Sequence, residues 1–135
     1  MTRLTIRIDL AENSAIGPGK ARLLELIDET GSIRSAATAM GMSYRRAWLL
    51  LKDIEATIGA PALATRTGVA NGGGASLTGR GRAVLERYRA IEQRATRAVS
   101  AELLALSQLT ASAGLSRDTQ NRPRKSKAQS KRRTA

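Results

Sequence analysis

The chain has 135 residues, and its 23 lysine and arginine residues outnumber its 11 acidic residues, which gives a net charge of +12. That length fits one domain with a tail and leaves no room for a second large core. The sequence contains no cysteine and no histidine, which excludes disulfides, thiol nucleophiles, ordinary zinc sites and histidine-based catalysis. The basic charge instead predicts a polyanionic partner, with nucleic acid first and an anionic membrane surface second.

Aromatic residues are scarce, with one tryptophan, two tyrosines and no phenylalanine. Surfaces that bind single-stranded nucleic acid stack bases on several aromatic rings, so the composition argues against that mode. No apolar run reaches the length of about 18 residues that a membrane span needs, and the N-terminus lacks the apolar core of a signal peptide. We expect a soluble, cytoplasmic protein that is not an enzyme and holds neither a metal nor a cofactor.

The first half of the chain is predicted to form one strand and three helices. Apolar residues alternate with polar ones at Leu4, Ile6 and Ile8, which is the period of a half-buried strand, and residues 12–17 are predicted to be a loop. Pro18 suits the first turn of a helix that ends at Gly31. Ser32 and Ser43 are suited to cap the next two helices. The third helix has an apolar stripe at Ala47, Leu51, Ile54 and Ile58.

The second half is predicted to contain a hairpin, a long helix and a tail. Two short strands flank the glycine run between Leu63 and Leu77, and one helix, which Thr78 is suited to cap, then follows over residues 78–110. From Gly114 onward eight basic residues face one acidic residue with almost nothing apolar, which predicts disorder. We therefore divide the chain into a domain of residues 1–110 and a basic tail of residues 111–135. The fold class is mainly α with a small β-hairpin.

The second and third helices are separated only by a short break at Gly41, which is typical of a helix-turn-helix. From Gly31 to Lys52 the chain carries no acid and four basic residues, namely Arg34, Arg45, Arg46 and Lys52. Arginine binds guanine O6 and N7 in the major groove, so this face indicates DNA binding. The alternative is an ordinary solvated helix face. We expect Trp48 to pack beneath the DNA-facing surface, with direct base contact as the alternative.

The segments Gly31–Ala37 and Gly41–Trp48 strongly resemble the N-terminal winged helix of ModE-type, molybdate-responsive transcription regulators. Pro61, the Thr65–Gly68 segment and the Leu77–Gly81 segment continue the resemblance, which covers about residues 4–110. The wider pattern is shared with LysR-type regulators and is less specific.

The resemblance implies a winged helix-turn-helix that dimerises through its helices on an inverted-repeat operator in double-stranded DNA. It implies that the recognition helix starts with residues that read or flank bases, at Ser43, Tyr44, Arg45 and Arg46. It places wing residues on the DNA backbone or minor groove, at Arg66, Thr67 and Asn71. Ser32, as a cap, would leave backbone N–H groups of the protein to hold a phosphate. Lys52 and Arg34 would contact the DNA backbone and position the protein on it.

Full-length members of this family carry oxyanion-binding domains after the winged helix, and here 22 residues follow Ala113. Those residues are too few for such a fold, so we expect no bound oxyanion, and any sensing would come from a separate sensor protein. The long helix predicts a homodimer, with an apolar stripe at Leu85, Tyr88, Ile91, Val99, Leu103 and Leu106. Folding back on its own domain is the alternative. A nucleoid-type protein that binds DNA by charge alone remains the main competing function.

Overall fold

The computed structural model describes residues 2–66 and 74–110, and these residues form five helices and two hairpins. The elements in chain order are β1 (Ile8–Ala11), β2 (Ser14–Ile16), α1 (Pro18–Thr30), α2 (Ile33–Ala39), α3 (Tyr44–Ile58), β3 (Leu63–Arg66), β4 (Gly74–Leu77), α4 (Gly79–Ala98) and α5 (Ser100–Gln108). By their internal contacts, residues 5–95 form one unit, and residues 2–4 with 96–110 belong to a second. The tail, predicted over residues 111–135, lies outside the described residues.

The N-terminal strand differs from the prediction in both position and pairing. Strand β1 begins at Ile8 and pairs antiparallel with β2, so Ser14–Ile16 is a strand where a loop was predicted. Asn13 has a φ of 61°, a left-handed conformation that asparagine tolerates and that lets the chain reverse. A strand needs a hydrogen-bonded partner. The chain reverses at this turn, so the residues before it and after it can pair with each other as β1 and β2. Ile16 is buried, which fixes the second strand against the helices.

The ends of the three central helices agree with the prediction. The Ser32 hydroxyl accepts the Ser35 N–H at 3.0 Å, and the Ser43 hydroxyl accepts the Arg46 N–H, also at 3.0 Å. Both serines therefore satisfy an N–H group that the first turn of a helix leaves without a backbone partner. Helices α1 and α3 each end at a left-handed glycine, Gly31 and Gly59.

The core lies among helices α1, α2 and α3, which pack against one another in pairs. Its largest completely buried side chains are Leu23, Leu24, Ile27 and Ile54. Ala36 and Ala37 are also buried, and their small side chains let α2 lie close to both neighbours. The predicted stripe of α3 is confirmed, because Ala47, Leu51 and Ile54 are buried and Ile58 packs against the same cluster.

The predicted hairpin is confirmed for its two strands. Strand β3 pairs antiparallel with β4, with Leu63 opposite Leu77 and Arg66 opposite Gly74. The Ala75 N–H donates to the Gly31 carbonyl at 2.9 Å, which attaches the hairpin to the end of α1. The wing therefore has a fixed base on the helical core, while residues 67–73 lie outside the described residues.

The single helix predicted over residues 78–110 is wrong, because the chain forms two helices, α4 and α5. They are separated at Val99, whose φ of −113° and ψ of 20° are not helical. Valine is stiff at χ1, which lowers its preference for a helix, and the Val99 carbonyl accepts the Leu103 N–H at 2.9 Å as the next helix begins. The start of the long helix is as predicted, since the Thr78 hydroxyl accepts the Gly81 N–H at 3.0 Å. Among the described residues, no helix is long and apolar enough to cross a membrane.

Candidate nucleic-acid interface

Helix α3 presents an exposed face opposite its buried stripe. At about 100° per residue, Arg45, Leu49 and Lys52 project away from Ala47 and Ile54. All three side chains are exposed, and so is Arg46 on the flank. The helix therefore buries one side in the core and offers the other side, starting at its N-terminal turn, to a partner.

Arg45 and Arg46 lie beside a shallow depression of about 480 Å³, which is also lined by Ser43, Leu49 and Asp53. Within the part of the chain that the structure describes, neither guanidinium forms an ion pair or a side-chain hydrogen bond. Asp53 is an acid in this depression, and Lys20 already pairs with it. The two arginines therefore keep their donor groups for acceptors outside the chain.

Two aromatic rings on this face hold cations. The Arg34 guanidinium carbon lies 4.8 Å from the centre of the Tyr44 ring, and the Lys52 ammonium lies 5.1 Å from the centre of the Trp48 ring. Such contacts restrain a long cationic side chain without neutralising its charge. Lys52 also approaches Glu55, at 3.5 Å. The two predicted backbone-binding cations thus belong to the same surface as the start of α3.

The expected packing role of Trp48 is wrong. Its side chain is 42% exposed, and that of Tyr44 is 41% exposed. Trp48 projects about 100° from the centre of the apolar stripe, beyond the edge of the core, where Lys52 covers one ring face. The tryptophan is therefore part of the exposed surface and is available to a ligand.

Acidic side chains on α1 pair with arginines on α4 and α1 itself, away from the start of α3. Asp28 accepts two hydrogen bonds from Arg82, and these bonds lower the pKa of Asp28 below its ordinary value. Burial raises the pKa of Glu25, but hydrogen bonds from Arg22 and Arg89 together outweigh it and hold that pKa below its ordinary value. These negative charges on α1 are paired inside the domain. On the basic face of α2 and α3, Lys52 pairs with Glu55, while Arg45 and Arg46 form no ion pair among the described residues.

The other predicted DNA contacts are placed only in part. Ser32 lies at the start of α2, where its hydroxyl is engaged as the cap. Arg66 is the last residue of β3 and lies opposite Gly74, at the end of the hairpin that is farther along the wing from Leu63. Thr67 and Asn71 lie outside the described residues, so the predicted wing contacts remain predictions.

Two of the residues predicted to dimerise lie in the core of this chain. Leu85 is 8% exposed and Tyr88 is 2% exposed, and the Tyr88 hydroxyl donates to the Ile6 carbonyl at 2.6 Å. Both residues belong to the buried core cluster of this chain, so we remove them from the dimer surface. Of the other predicted residues, Ile91 and Leu106 are exposed, while Val99 and Leu103 are half-buried.

The site predicted from sequence omitted some exposed apolar residues in the helices and directly after α5. Leu104 is 61% exposed and Leu109 is 83% exposed, both more than the predicted Leu106. Leu49, on the basic face, is 48% exposed. The helical projection of α3 places Leu49 opposite the core, and this was the signal that could have marked it. Among the residues described, no group of three or more acidic side chains could hold a metal ion.

No family model matches the sequence. The chain is 33% identical over 92 residues to the molybdenum transport protein ModE of Azotobacter vinelandii. This alignment covers 68% of this chain and 33% of that protein. It is 35% identical over 92 residues to the transcriptional regulator ModE of Haemophilus influenzae, which covers 68% of this chain and 36% of that protein. The chain therefore spans about a third of the length of these curated relatives.

Among solved structures, the chain is similar to one described as a complex of the CbnR DNA-binding domain with DNA. The TM-score is 0.52 at 25% sequence identity, and the match covers 65% of this chain and 95% of that chain. CbnR is a LysR-type regulator, so the broader likeness expected from the sequence is also found. The predicted resemblance is thus confirmed: the chain contains a winged helix whose sequence relatives are ModE-type regulators and whose fold is that of a LysR-type DNA-binding domain.

Proposed function

We propose that the chain binds double-stranded DNA at specific sites and acts as a homodimeric transcription regulator on an inverted-repeat operator. The observation that carries this proposal is the pair of exposed arginines, Arg45 and Arg46, on the first turn of α3 in a winged helix. In a helix-turn-helix, the N-terminal residues of the second helix meet base edges in the major groove. The names of the sequence relatives and the DNA complex of the structural neighbour support the same conclusion.

We assign base reading to Arg45, Arg46 and Tyr44, because they occupy the exposed start of α3. A guanidinium can bind O6 and N7 of one guanine with two hydrogen bonds, and its planar donor groups are held in a fixed geometry that suits this contact. Arg34 and Lys52 are assigned to the phosphate backbone, where they fix the register of the protein on the duplex. Ser32 and Ser43 order the helix starts, and the wing residues Arg66, Thr67 and Asn71 complete the proposed contacts.

The dimer is proposed to form through exposed apolar residues of the last two helices, including Ile91 and Leu106. Apolar side chains that the described part of a chain leaves exposed are commonly covered by a second copy. A two-fold dimer would place its recognition helices about 34–36 Å apart, one turn of DNA. The operator should then be a pseudo-palindrome with that spacing. In this proposal residues 1–110 form the DNA-binding domain, and the basic residues 111–135 add phosphate contacts.

The test is selection of binding sites from random duplexes, followed by titration of the selected site with wild-type protein and Arg45→Ala. We expect an inverted repeat, and we expect Arg45→Ala to cost about 1–3 kcal/mol in binding and to relax the preference at one position of each half-site. The matched control is Arg94→Ala, which removes an equal charge from an exposed position on α4. If Arg45→Ala loses the same affinity for all DNA sequences, or if both variants lose the same affinity, Arg45 contacts a phosphate and does not read a base.

A second candidate function is nucleoid-type binding, in which charge alone attracts DNA. The net charge of +12 and the eight basic residues after Gly114 favour it. The same selection separates the two functions, because charge-driven binding enriches no site and depends steeply on salt. A specific site that forms only after another chain is added would point to the third possibility, a DNA-binding subunit that works with a separate sensor.

A further inference from the structure

Leu49 is an apolar residue in the middle of the basic face of α3. It lies four residues after Arg45 and three before Lys52, opposite the buried stripe, and it is 48% exposed. The other large apolar residues on this face, Tyr44 and Trp48, have aromatic rings that hold cations. The Leu49 side chain has no polar atom with which to bind a phosphate or a base edge. Its only means of recognition is contact with another apolar group.

The position of Leu49 relative to the arginines defines where that group would lie. Leu49 lines the same depression as Arg45 and Arg46. If a base edge approaches either arginine, the neighbouring bases would therefore lie against the Leu49 side chain. Four helical residues span about 6 Å along the axis, and successive bases on one strand are about 3.4 Å apart. The base beside Leu49 would lie within about two steps of the base that Arg45 reads.

The major-groove edges of the four base pairs carry one prominent apolar group, the 5-methyl group of thymine. We propose that Leu49 contacts this methyl group and so selects thymine at one position of each half-site, within about two base pairs of the guanine read by Arg45. This inference rests on the proposed function, because it requires α3 to enter the major groove. It names a specificity residue that charge and hydrogen bonding alone would not identify.

The experiment replaces the thymines of the selected operator, one at a time, with deoxyuridine, which lacks only the methyl group. Burial of one methyl-sized group stabilises by about 0.8 kcal/mol, which is about a fourfold change in affinity per half-site. We expect one position per half-site to show this loss with the wild-type protein. Leu49→Ala should bind the thymine and deoxyuridine operators equally at that position. Leu49→Met, which keeps a large apolar side chain, should retain most of the difference.

The matched control is Leu10→Ala, which removes an exposed leucine from β1 and should leave the fourfold difference intact. Comparing each variant on both operators measures the coupling between side chain and methyl group, and it cancels any general loss of affinity. If a specific operator is selected but no deoxyuridine substitution changes the binding affinity, this inference is overturned and the proposed function stands. If no operator is selected, both fail. A methyl effect that survives in Leu49→Ala would also overturn the assignment.

Discussion

Arg82 on α4 donates two hydrogen bonds to the Asp28 carboxylate on α1, at 3.1 and 2.9 Å. This bidentate pair joins the helix that follows the wing to the first helix of the core. A planar guanidinium matches a carboxylate in this geometry, and each restrains the other. The pair thus helps to hold α4 against the helices that position the recognition surface.

The Arg82–Asp28 pair predicts a specific dependence of stability on pH. Hydrogen bonding from Arg82 lowers the pKa of Asp28 in the folded chain below its ordinary value of 3.8. A lowered folded pKa means that the contribution to stability is present above the ordinary pKa and is lost as the pH falls through the folded pKa. Asp28→Asn should therefore reduce the melting temperature at pH 7, and the difference from wild type should shrink below about pH 4.

Thermal unfolding followed by circular dichroism between pH 2.5 and pH 8 would test this dependence. Asp9→Asn is the matched control, because Asp9 pairs with Arg7 at a site where both side chains are mostly exposed, and exposed pairs contribute little. A constant difference between wild type and Asp28→Asn across this range would contradict the assigned role of the carboxylate.

Gly81 predicts a second effect on stability, since it lies against the backbone of Ala62, the residue before β3. A Cβ at this position would lie 2.3 Å from the Ala62 carbonyl oxygen, so the backbone would have to move. Overpacking of this kind typically costs about 1–3 kcal/mol. Gly81→Ala should therefore lower the free energy of unfolding, although alanine is the better helix former.

Gly79→Ala is a close control for Gly81→Ala, because both glycines lie in the first turn of α4. A Cβ at Gly79 would have nothing within 4 Å, so this change should be neutral or stabilise by up to about 1 kcal/mol. Urea unfolding of both variants gives the comparison. Equal stabilities in the two variants would show that the close approach at Ala62 is not a constraint on the fold.

The parts of the fold that local sequence determines were predicted well. Caps at Ser32, Ser43 and Thr78 act over three residues, and the apolar stripe of α3 follows helical periodicity, so both can be identified from a short window. The basic start of α3 was predicted for the same reason, because charge and position along a helix are local properties.

The features that were missed depend on distant contacts. The sequence pattern places Tyr88 in a continuous apolar stripe of one helix. In the structure its hydroxyl donates to the Ile6 carbonyl, 82 positions earlier in the chain. Periodicity identifies an apolar face without identifying what covers it, so a core residue was assigned to a dimer surface. Trp48 shows the converse, since its type predicted burial and its position beyond the edge of the stripe leaves it exposed.

The basic tail predicts how DNA binding depends on salt. Each phosphate that a cationic side chain neutralises releases counterions, and the slope of log K against log salt steepens by about 0.9 per phosphate. Residues 114–135 contain eight basic residues and one acid. A chain that stops after Ala113 should therefore bind the selected operator with a shallower slope, and its preference for the operator over random DNA should be unchanged or larger.

Fluorescence anisotropy at several salt concentrations between 50 and 300 mM would measure the slope for the full chain and the shortened chain. A full-length variant with glutamine at the eight basic positions is the matched control, because it keeps the length of the tail and removes its positive charge. The shortened chain and this variant should have the same slope, since charge rather than length releases counterions. An unchanged slope in both would contradict the phosphate-binding role of the tail, and the basic face of α2 and α3 would then account for the electrostatic part of binding.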